Sequence, residues 1–361
     1  MTLGRAKGWI GIDLGPRALK AVQLERGRTG LHFAASVVMP GISSARGETD
    51  VLAPGCDWTG QEISAALLLS GGFSGRTAAC VLPMSLTDLH ALNVPPAESA
   101  EQRAMVAHEL SVVLAREEQD RAFDFWETKS AATASPPGTV AVNVLSAPRR
   151  VVSGVAESLS RARLSCEVID GLPLVLARAI TLAYGPGTSP PIGAVDWGFE
   201  SATFSAVSAG RPLYTRHLRS CGVRLLVEAV SQALGLSEDE SSRVLATYGL
   251  PDPERRDAAR SEIQEVIAEV TASRLHDIAA ELKKTISYFQ TQYCEDSLER
   301  LCLLGDGATV KNVSALLSRK VGLPVEVWRL PQQATATRGK SEEHPALLGT
   351  AAALSALAWT T

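Results

Sequence analysis

The sequence has little of what marks metal-binding, disulfide-rich or nucleic-acid-binding proteins. Its cysteines form no CxxC pair, so their spacing favours reduced, mostly buried thiols over a zinc site or a disulfide framework. The six cysteines are Cys56, Cys80, Cys166, Cys221, Cys294 and Cys302. The formal net charge is −4 and the pI is about 5.9, so the composition gives no basic surface for nucleic acid.

Long apolar runs are also missing. The most apolar segment, Ala346 to Trp359, is shorter than the roughly 20 residues that span a bilayer. The apolar run near the start ends at Asp13, which is too early for a signal peptide. We therefore expect a cytoplasmic protein. Its 361 residues exceed what one hydrophobic core usually serves, so we expect at least two lobes.

Strand-like and helical runs alternate along the chain. Residues 139–148 (TVAVNVLSAP) predict a strand, and residues 149–164 after them predict a helix. This alternation favours an α/β architecture. Ser237, three positions before Glu240, predicts a capping box at the start of a helix. A longer helix is predicted from apolar residues at helical spacing, which are Ile278, Leu282, Ile286, Phe289 and Tyr293.

Each half of the sequence begins with the same pattern. Residues 10–24 (IGIDLGPRALKAVQL) predict a strand, an Asp-x-Gly turn and a second strand, and residues 193–207 (GAVDWGFESATFSAV) repeat it. A lone Asp-x-Gly turn is usually only a turn. Two such hairpins at the heads of two lobes instead favour a cleft that faces phosphate.

The turn residues suggest how such a cleft would hold a nucleotide. Glycine allows a sharp turn that brings backbone N–H groups close to phosphate oxygens. A carboxylate repels phosphate but can hold hydrated Mg²⁺. We therefore predict that Gly15 and Gly198 present N–H groups to phosphate, and that Asp13 and Asp196 hold Mg²⁺ through water.

A third element is predicted to hold the nucleoside. Residues 298–322 give the pattern strand, glycine turn and helix, in which Gly305 and Gly307 let the backbone approach a flat ligand. On the long helix, Glu281 and Lys284 share a face away from the apolar stripe and could reach a ribose and base. The alternative is that these two form only a surface ion pair, worth about 0.2–0.5 kcal/mol.

The order hairpin, hairpin, long helix and glycine turn resembles that of the actin-like ATPase superfamily. Within it, the chain is similar to the PilM family of type IV pilus assembly proteins, from about Gly8 to Leu357. The resemblance is carried by the opening hairpin with Lys20 and by family-like segments further along the chain. These segments are residues 81–96, 123–127, 170–180, 212–241, 279–292 and 344–354.

The resemblance implies a two-lobed actin-like ATPase fold, which is a duplicated ribonuclease H-like α/β fold with a small subdomain inserted in the first lobe. Residues 1–191 are then the first lobe, with the insertion at about 95–170. Residues 192–343 are the second lobe, and 344–361 form a C-terminal helix that returns to the first lobe.

The resemblance also implies a function. The family binds ATP and Mg²⁺ in the interlobe cleft, where Lys20 would neutralise phosphate charge. It holds the cytoplasmic tail of a PilN-like inner-membrane protein, so the chain would lie peripherally at that membrane as a scaffold of a type IV pilus or a type II secretion-like platform.

Several positions depart from the family pattern. Pro16 and Arg17 follow the first turn, where small hydroxyl residues are usual, and Pro16 has no N–H to offer phosphate. Glu200 lies in the second turn, where its carboxylate at about 5 Å from a phosphate costs roughly 3 kcal/mol. Asp306 and Cys221 replace glycines. We therefore expect a weak or lost ATP site and at most a weak ATPase, and we identify no catalytic residue.

Two other functions stay open at this point. An FtsA-like membrane-associated division protein would end in a basic amphipathic helix, whereas this sequence ends in ALAWTT. A small-molecule kinase of the same superfamily would need a positioned carboxylate base and a substrate pocket, and we can name neither.

Overall fold

The structure is a computed structural model. It describes residues 6–28, 30–41, 58–114, 120–128, 138–252, 261–293, 297–331 and 344–359. Cys56 and Cys294 lie outside these ranges. The other four cysteines are free thiols, and Cys80, Cys221 and Cys302 are buried, as their spacing predicts. No helix in the described ranges is both long enough and apolar enough to cross a membrane.

Strands and helices alternate through most of the described chain. The strands are β1 (Ala6–Leu14), β2 (Ala18–Gly27), β3 (Gly30–Pro40), β4 (Thr77–Leu82), β5 (Asp88–Val94), β6 (Arg121–Glu127), β7 (Val140–Pro148), β8 (Ser165–Gly171), β9 (Ile192–Trp197), β10 (Ala202–Ser208), β11 (Arg211–Leu218), β12 (Arg300–Leu304) and β13 (Val325–Val327). The helices are α1 (Gly60–Ser70), α2 (Ser99–Val113), α3 (Arg149–Arg161), α4 (Leu172–Tyr184), α5 (Arg224–Leu234), α6 (Glu238–Thr247), α7 (Glu262–Gln292), α8 (Val313–Val321) and α9 (Gly349–Ser355).

The same sheet topology occurs twice. The first sheet has the strand order β3-β2-β1-β4-β8, and the second has the order β11-β10-β9-β12-β13. In each sheet the first three strands are antiparallel neighbours, and the last two are added in parallel. Both predicted hairpins are present, as β1–β2 and β9–β10. The predicted duplicated, two-lobed α/β fold is therefore confirmed.

The helices of the second lobe begin and pack as their sequences predict. The Ser237 hydroxyl accepts from the Glu240 backbone N–H, and the Glu240 carboxylate accepts from the Ser237 N–H, so the capping box starts α6. On α7 the predicted apolar face is buried at Ile278, Leu282, Ile286 and Phe289. These side chains lie in the large core beneath the second sheet.

The C-terminal segment packs on the first sheet. Helix α9 is buried along its whole length against β1, and a Cβ atom at Gly11 would lie 2.0 Å from the Ala351 carbonyl oxygen. Only glycine allows the helix to approach the strand this closely. This contact places the described part of the C-terminal segment against the first lobe.

The inserted subdomain is a three-stranded sheet, β5-β7-β6, with α2 packed on one face. Its strands span Asp88 to Pro148, so it begins and ends earlier than the expected range of about 95–170. The reason is strand pairing: β5 pairs with β7, whereas β8 pairs in parallel with β4 of the first sheet. Helix α3 belongs to the first lobe as well, because Val155 and Leu159 share a core with Ile63.

Candidate functional site

Four charged side chains meet between the two lobes. Asp13 and Lys20 are cross-strand partners on β1 and β2 of the first lobe. Asp196 lies on β9 and Asp306 follows β12, both in the second lobe. The Lys20 Nζ atom lies 3.4 Å from Asp306 Oδ2 and 3.9 Å from Asp13 Oδ2, and Lys20 is only 6% exposed. Lys20 therefore connects the lobes from a buried position.

The charges in this cluster shift each other's protonation. Burial alone would lower the pKa of Lys20, but the carboxylates of Asp306, Asp13 and Asp196 outweigh it and raise the pKa above its usual value. Burial raises the pKa of Asp196 to about 7, with Lys20 opposing the rise and Asp13 and Asp306 adding to it. Lys20 thus stays charged at neutral pH, while Asp196 keeps its proton to a higher pH than an ordinary aspartate.

The carboxylates around Lys20 include the two residues predicted to hold magnesium. Carboxylate oxygens are the ligands that Mg²⁺ prefers, together with water. Asp13 Oδ2 already accepts a hydrogen bond of 2.9 Å from Thr350 Oγ1 on α9. Within the described ranges no three His, Cys, Asp or Glu side chains are arranged to ligate a metal. That Asp13 and Asp196 hold Mg²⁺ through water stays a prediction.

The first glycine turn uses its own backbone groups. The Gly15 N–H donates to the Ala18 carbonyl at 3.1 Å, and the Gly15 carbonyl accepts from Trp58 Nε1 at 2.9 Å. The expectation that Gly15 presents a free N–H to phosphate is therefore corrected, because the tight turn consumes this donor. In the second turn the Gly198 carbonyl accepts from the Val223 N–H, which fixes the hairpin to the residue before α5.

The glycine turn after β12, which is predicted to hold a nucleoside, packs against the indole ring of Trp197. A Cβ atom on Gly307 would lie 2.1 Å from the indole of Trp197, and one on Gly305 would lie 2.7 Å from Asp196 Oδ1. Gly305 also has φ of 82°, which a residue with a side chain rarely adopts. Both glycines thus allow the turn to pack directly on the end of β9. Their role toward a nucleoside stays a prediction.

A second part of the cleft is a cavity of about 440 Å³ between the second hairpin, α5 and α7. Its lining includes Glu200, Cys221, Arg224, Arg274, Asp277 and Glu281. The Glu281 carboxylate accepts from Lys284 at 2.6 Å and from Arg216 at 3.2 Å. The Lys284 side chain is 69% exposed and forms an i,i+3 pair on the helix surface. The structure therefore brings Glu281, but not Lys284, to the cavity wall.

Two residues that depart from the family pattern, Glu200 and Cys221, line this cavity. The Glu200 carboxylate accepts from Arg224 Nε at 2.9 Å, and Arg224 also pairs with Glu228. The repulsion expected between Glu200 and phosphate is therefore offset by a neighbouring cation, which sequence reasoning missed. Burial, followed by the charge of Glu281, raises the pKa of the Cys221 thiol to about 11, so this cysteine is an inert buried group.

Arg17 makes an interlobe contact that sequence reasoning missed. From the tip of the first hairpin, its Nη2 donates to Asp239 at 2.9 Å and its Nη1 donates to Ser242 Oγ at 3.0 Å, both on α6. Its guanidinium also lies 4.2 Å from the centre of the Phe199 ring in the second hairpin. No local pattern predicts this contact, because the partners are 222 and 225 positions away.

A separate cavity of about 140 Å³ lies between the inserted subdomain and the first lobe. One face of β6 contributes alternate residues, Ala122, Asp124 and Trp126, and the first lobe contributes Ile169 and Leu174. The opposite face of β6 packs on α2. The cavity is thus mostly apolar, with the carboxylates of Asp124 and Asp170 in its lining.

Trp126 also reaches beyond this cavity. Its Nε1 atom donates to the Pro212 carbonyl of β11 at 3.0 Å. One side chain of the insertion therefore touches both the cavity and the second lobe.

No protein-family model matches the chain. A chain of the solved PilM–PilN type IV pilus biogenesis complex superposes with a TM-score of 0.76 at 22% identity, covering 97% of this chain and 98% of that one. This chain has the PilM fold.

The PilM-like fold extends to a further solved structure. The ethanolamine utilization protein EutJ from Carboxydothermus hydrogenoformans superposes with a TM-score of 0.54 at 14% identity, covering 98% of this chain and 91% of that one. The fold that the resemblance implied is therefore shared with these two solved structures.

Proposed function

We propose that the chain is an adaptor of a type IV pilus or related secretion platform, which holds the cytoplasmic tail of a PilN-like inner-membrane protein and binds ATP weakly. In this proposal the chain lies at the cytoplasmic face of the inner membrane through that partner. The observation that carries the proposal is the apolar cavity between the inserted subdomain and the first lobe, in a chain whose fold matches that of the PilM–PilN complex.

The cavity suits a short extended segment better than a small polar substrate. Its wall combines Trp126 and Leu145 of the insertion with Val152 and Leu174 of the first lobe. Such a wall accepts alternate apolar side chains of a peptide, whose main chain can then bond to neighbouring backbone. Gly171 allows Leu145 to pack closely at this wall, because a Cβ atom at position 171 would lie 2.0 Å from Leu145 Cδ2.

The charged cluster supports weak nucleotide binding in the other cleft. Asp13 and Asp196 would hold Mg²⁺ through water, and Lys20 would face a phosphate. Glu281, Lys284, Gly305 and Gly307 stay the proposed adenosine residues, and Gly198 stays the proposed phosphate donor. A bound ion would supply positive charge in a turn where Pro16 offers no N–H group to phosphate. The engagement of the Gly15 N–H in its own turn favours low affinity.

The test uses the membrane partner directly. A fluorescent peptide is made from the cytoplasmic segment of a single-span PilN-like membrane protein of the same organism. Its binding is measured by anisotropy with the full chain and with Ala122→Trp, which fills the cavity from β6. Ala91→Trp is the control, because it makes the same change at an exposed position of β5.

We expect the unaltered chain and Ala91→Trp to bind the peptide equally, and Ala122→Trp to bind at least about tenfold more weakly, since the added ring occupies the groove. Circular dichroism confirms that each variant folds. Equal binding by Ala122→Trp would move the docking surface elsewhere, and absence of any binding by the unaltered chain would overturn the adaptor proposal.

A further inference from the structure

Arg17 lies where it can act on both lobes at once. It follows the turn of the first hairpin, and its backbone carbonyl accepts from the Gly41 N–H at 2.7 Å, which anchors its main chain in the first lobe. Its side chain ends in the second lobe, at Asp239 and Ser242 on α6. The Arg17 side chain is 28% exposed, so the guanidinium is largely covered by these partners.

Arg17 contacts α6 through two guanidinium nitrogens, so the orientation of the guanidinium group is fixed as well as its distance from the helix. One guanidinium nitrogen donates to a carboxylate and the other donates to a hydroxyl, while the flat face of the group lies over Phe199. Arginine presents this planar fork, whereas lysine is a point charge. The Ser242 hydroxyl is itself oriented, because it donates to the Glu238 carbonyl at 2.8 Å.

We propose that Arg17 is an interlobe clasp that holds the cleft closed without a nucleotide. The clasp joins the tip of the first hairpin to α6 and to the tip of the second hairpin, across the space between the two predicted phosphate-facing turns. It works beside Lys20, which crosses between the lobes deeper in the cleft. A nucleotide entering between the hairpins must first release Arg17 from Asp239. The clasp goes beyond the proposed adaptor function and does not depend on it.

The test measures whether a change in one lobe is felt in the other. Amide hydrogen exchange is followed by mass spectrometry in peptides that cover the first turn, residues 14–18. Asp239→Ala removes the clasp partner from the second lobe, and Glu238→Ala removes a neighbouring acid from the same turn of α6 as the matched control. Arg17→Ala, Arg17→Lys and the Arg17→Ala, Asp239→Ala pair complete the set.

We expect Asp239→Ala to speed exchange in the first turn by about twofold to fivefold, which is the range for one ion pair at a partly exposed site, since the contact of Arg17 with Phe199 stays. Glu238→Ala is expected to leave the exchange rate in the first turn unchanged. The double variant exchanges no faster than Arg17→Ala alone, because the two residues act through one contact. The exchange rate in Arg17→Lys is expected to lie between those of the unaltered chain and Arg17→Ala, because lysine keeps the positive charge but loses the planar guanidinium group.

Unchanged exchange in the first turn of Asp239→Ala, or an equal change in Glu238→Ala, overturns the clasp. If Arg17→Ala does not fold, Asp239→Ala and Arg17→Lys carry the same test. A second readout is the association rate of methylanthraniloyl-ATP with Mg²⁺, which rises in Arg17→Ala. Coupled exchange without binding of this probe to any chain supports the clasp and contradicts the proposed ATP binding instead.

Discussion

Asp196 gives the sharpest test of the electrostatics in the cleft. It is half-buried at the end of β9, and its pKa of about 7 arises from burial and from Asp13 and Asp306, with Lys20 opposing. Replacement by asparagine keeps the shape of the side chain and removes its titration. The comparison therefore isolates one ionisation in an otherwise unchanged cluster.

The sign follows from proton binding. Between 3.8 and about 7 the folded chain holds a proton on Asp196 that the unfolded chain releases, so stability falls as the pH rises through this window. Each pH unit costs about 1.4 kcal/mol, or about 3 kcal/mol between pH 5 and the folded pKa. We halve this figure to about 1.5 kcal/mol, because solvent screens a half-buried group.

The assay is urea unfolding followed by tryptophan fluorescence at pH 5, 6, 7 and 8, in EDTA and without nucleotide. The free energy of unfolding of Asp196→Asn minus that of the unaltered chain is expected to rise by about 1.5 kcal/mol from pH 5 to pH 7 and then to level off. Asp277→Asn, at an exposed position of α7, is the control and gives a flat difference. A difference for Asp196→Asn that is flat or falls with pH would refute the reasoning.

Two further variants test the surroundings of the cluster. Glu200→Ser is expected to change the affinity for a non-hydrolysable Mg–ATP analogue, measured by calorimetry, by less than about threefold. The reason is that Arg224 already offsets the Glu200 carboxylate. A gain in affinity near a hundredfold would show that Glu200 faces phosphate unpaired. Gly307→Ala is expected to cost about 1–3 kcal/mol of unfolding free energy in urea, because its Cβ would meet the Trp197 ring. Gly187→Ala, whose Cβ meets nothing within 4 Å, is its control, and equal losses would contradict the packing argument.

The sequence predicted features whose signals are local. An Asp-x-Gly turn between two apolar runs specifies a hairpin within 15 residues, and the capping box of α6 lies within four. The buried stripe of α7 repeats at helical spacing, so its face could be assigned from Ile278 to Phe289 without knowing what covers it. The positions of the two hairpins in the fold could also be predicted, because the hairpin pattern occurs once at the start of each half of the sequence.

The contacts that decide how the cleft behaves are not local. Thr350 donates to Asp13 across 337 positions, and Arg17 meets Asp239 across 222. No periodicity or propensity encodes such pairs. The limits of the insertion depend on a pairing of the same kind: it is the pairing of β5 with β7 that assigns β5 to the smaller sheet.

These pairings bear on why nucleotide binding should be weak. A phosphate that binds Lys20 must displace Asp306, which lies 3.4 Å from the ammonium group, and the released carboxylate stays beside the incoming anion. Exchanging one charged hydrogen bond for another yields little net free energy, whereas leaving a buried charge unpaired is costly. Entry between the hairpins also requires Arg17 to leave Asp239. Under the proposed nucleotide binding, much of the binding energy of a triphosphate would therefore be consumed in replacing interactions that the cleft already makes. The cavity beside the insertion has Asp170 on its wall, already paired with Arg178 at 3.0 Å, and its lining includes none of the residues proposed for the nucleotide cleft. We therefore infer that docking of a membrane partner there is independent of the nucleotide cleft.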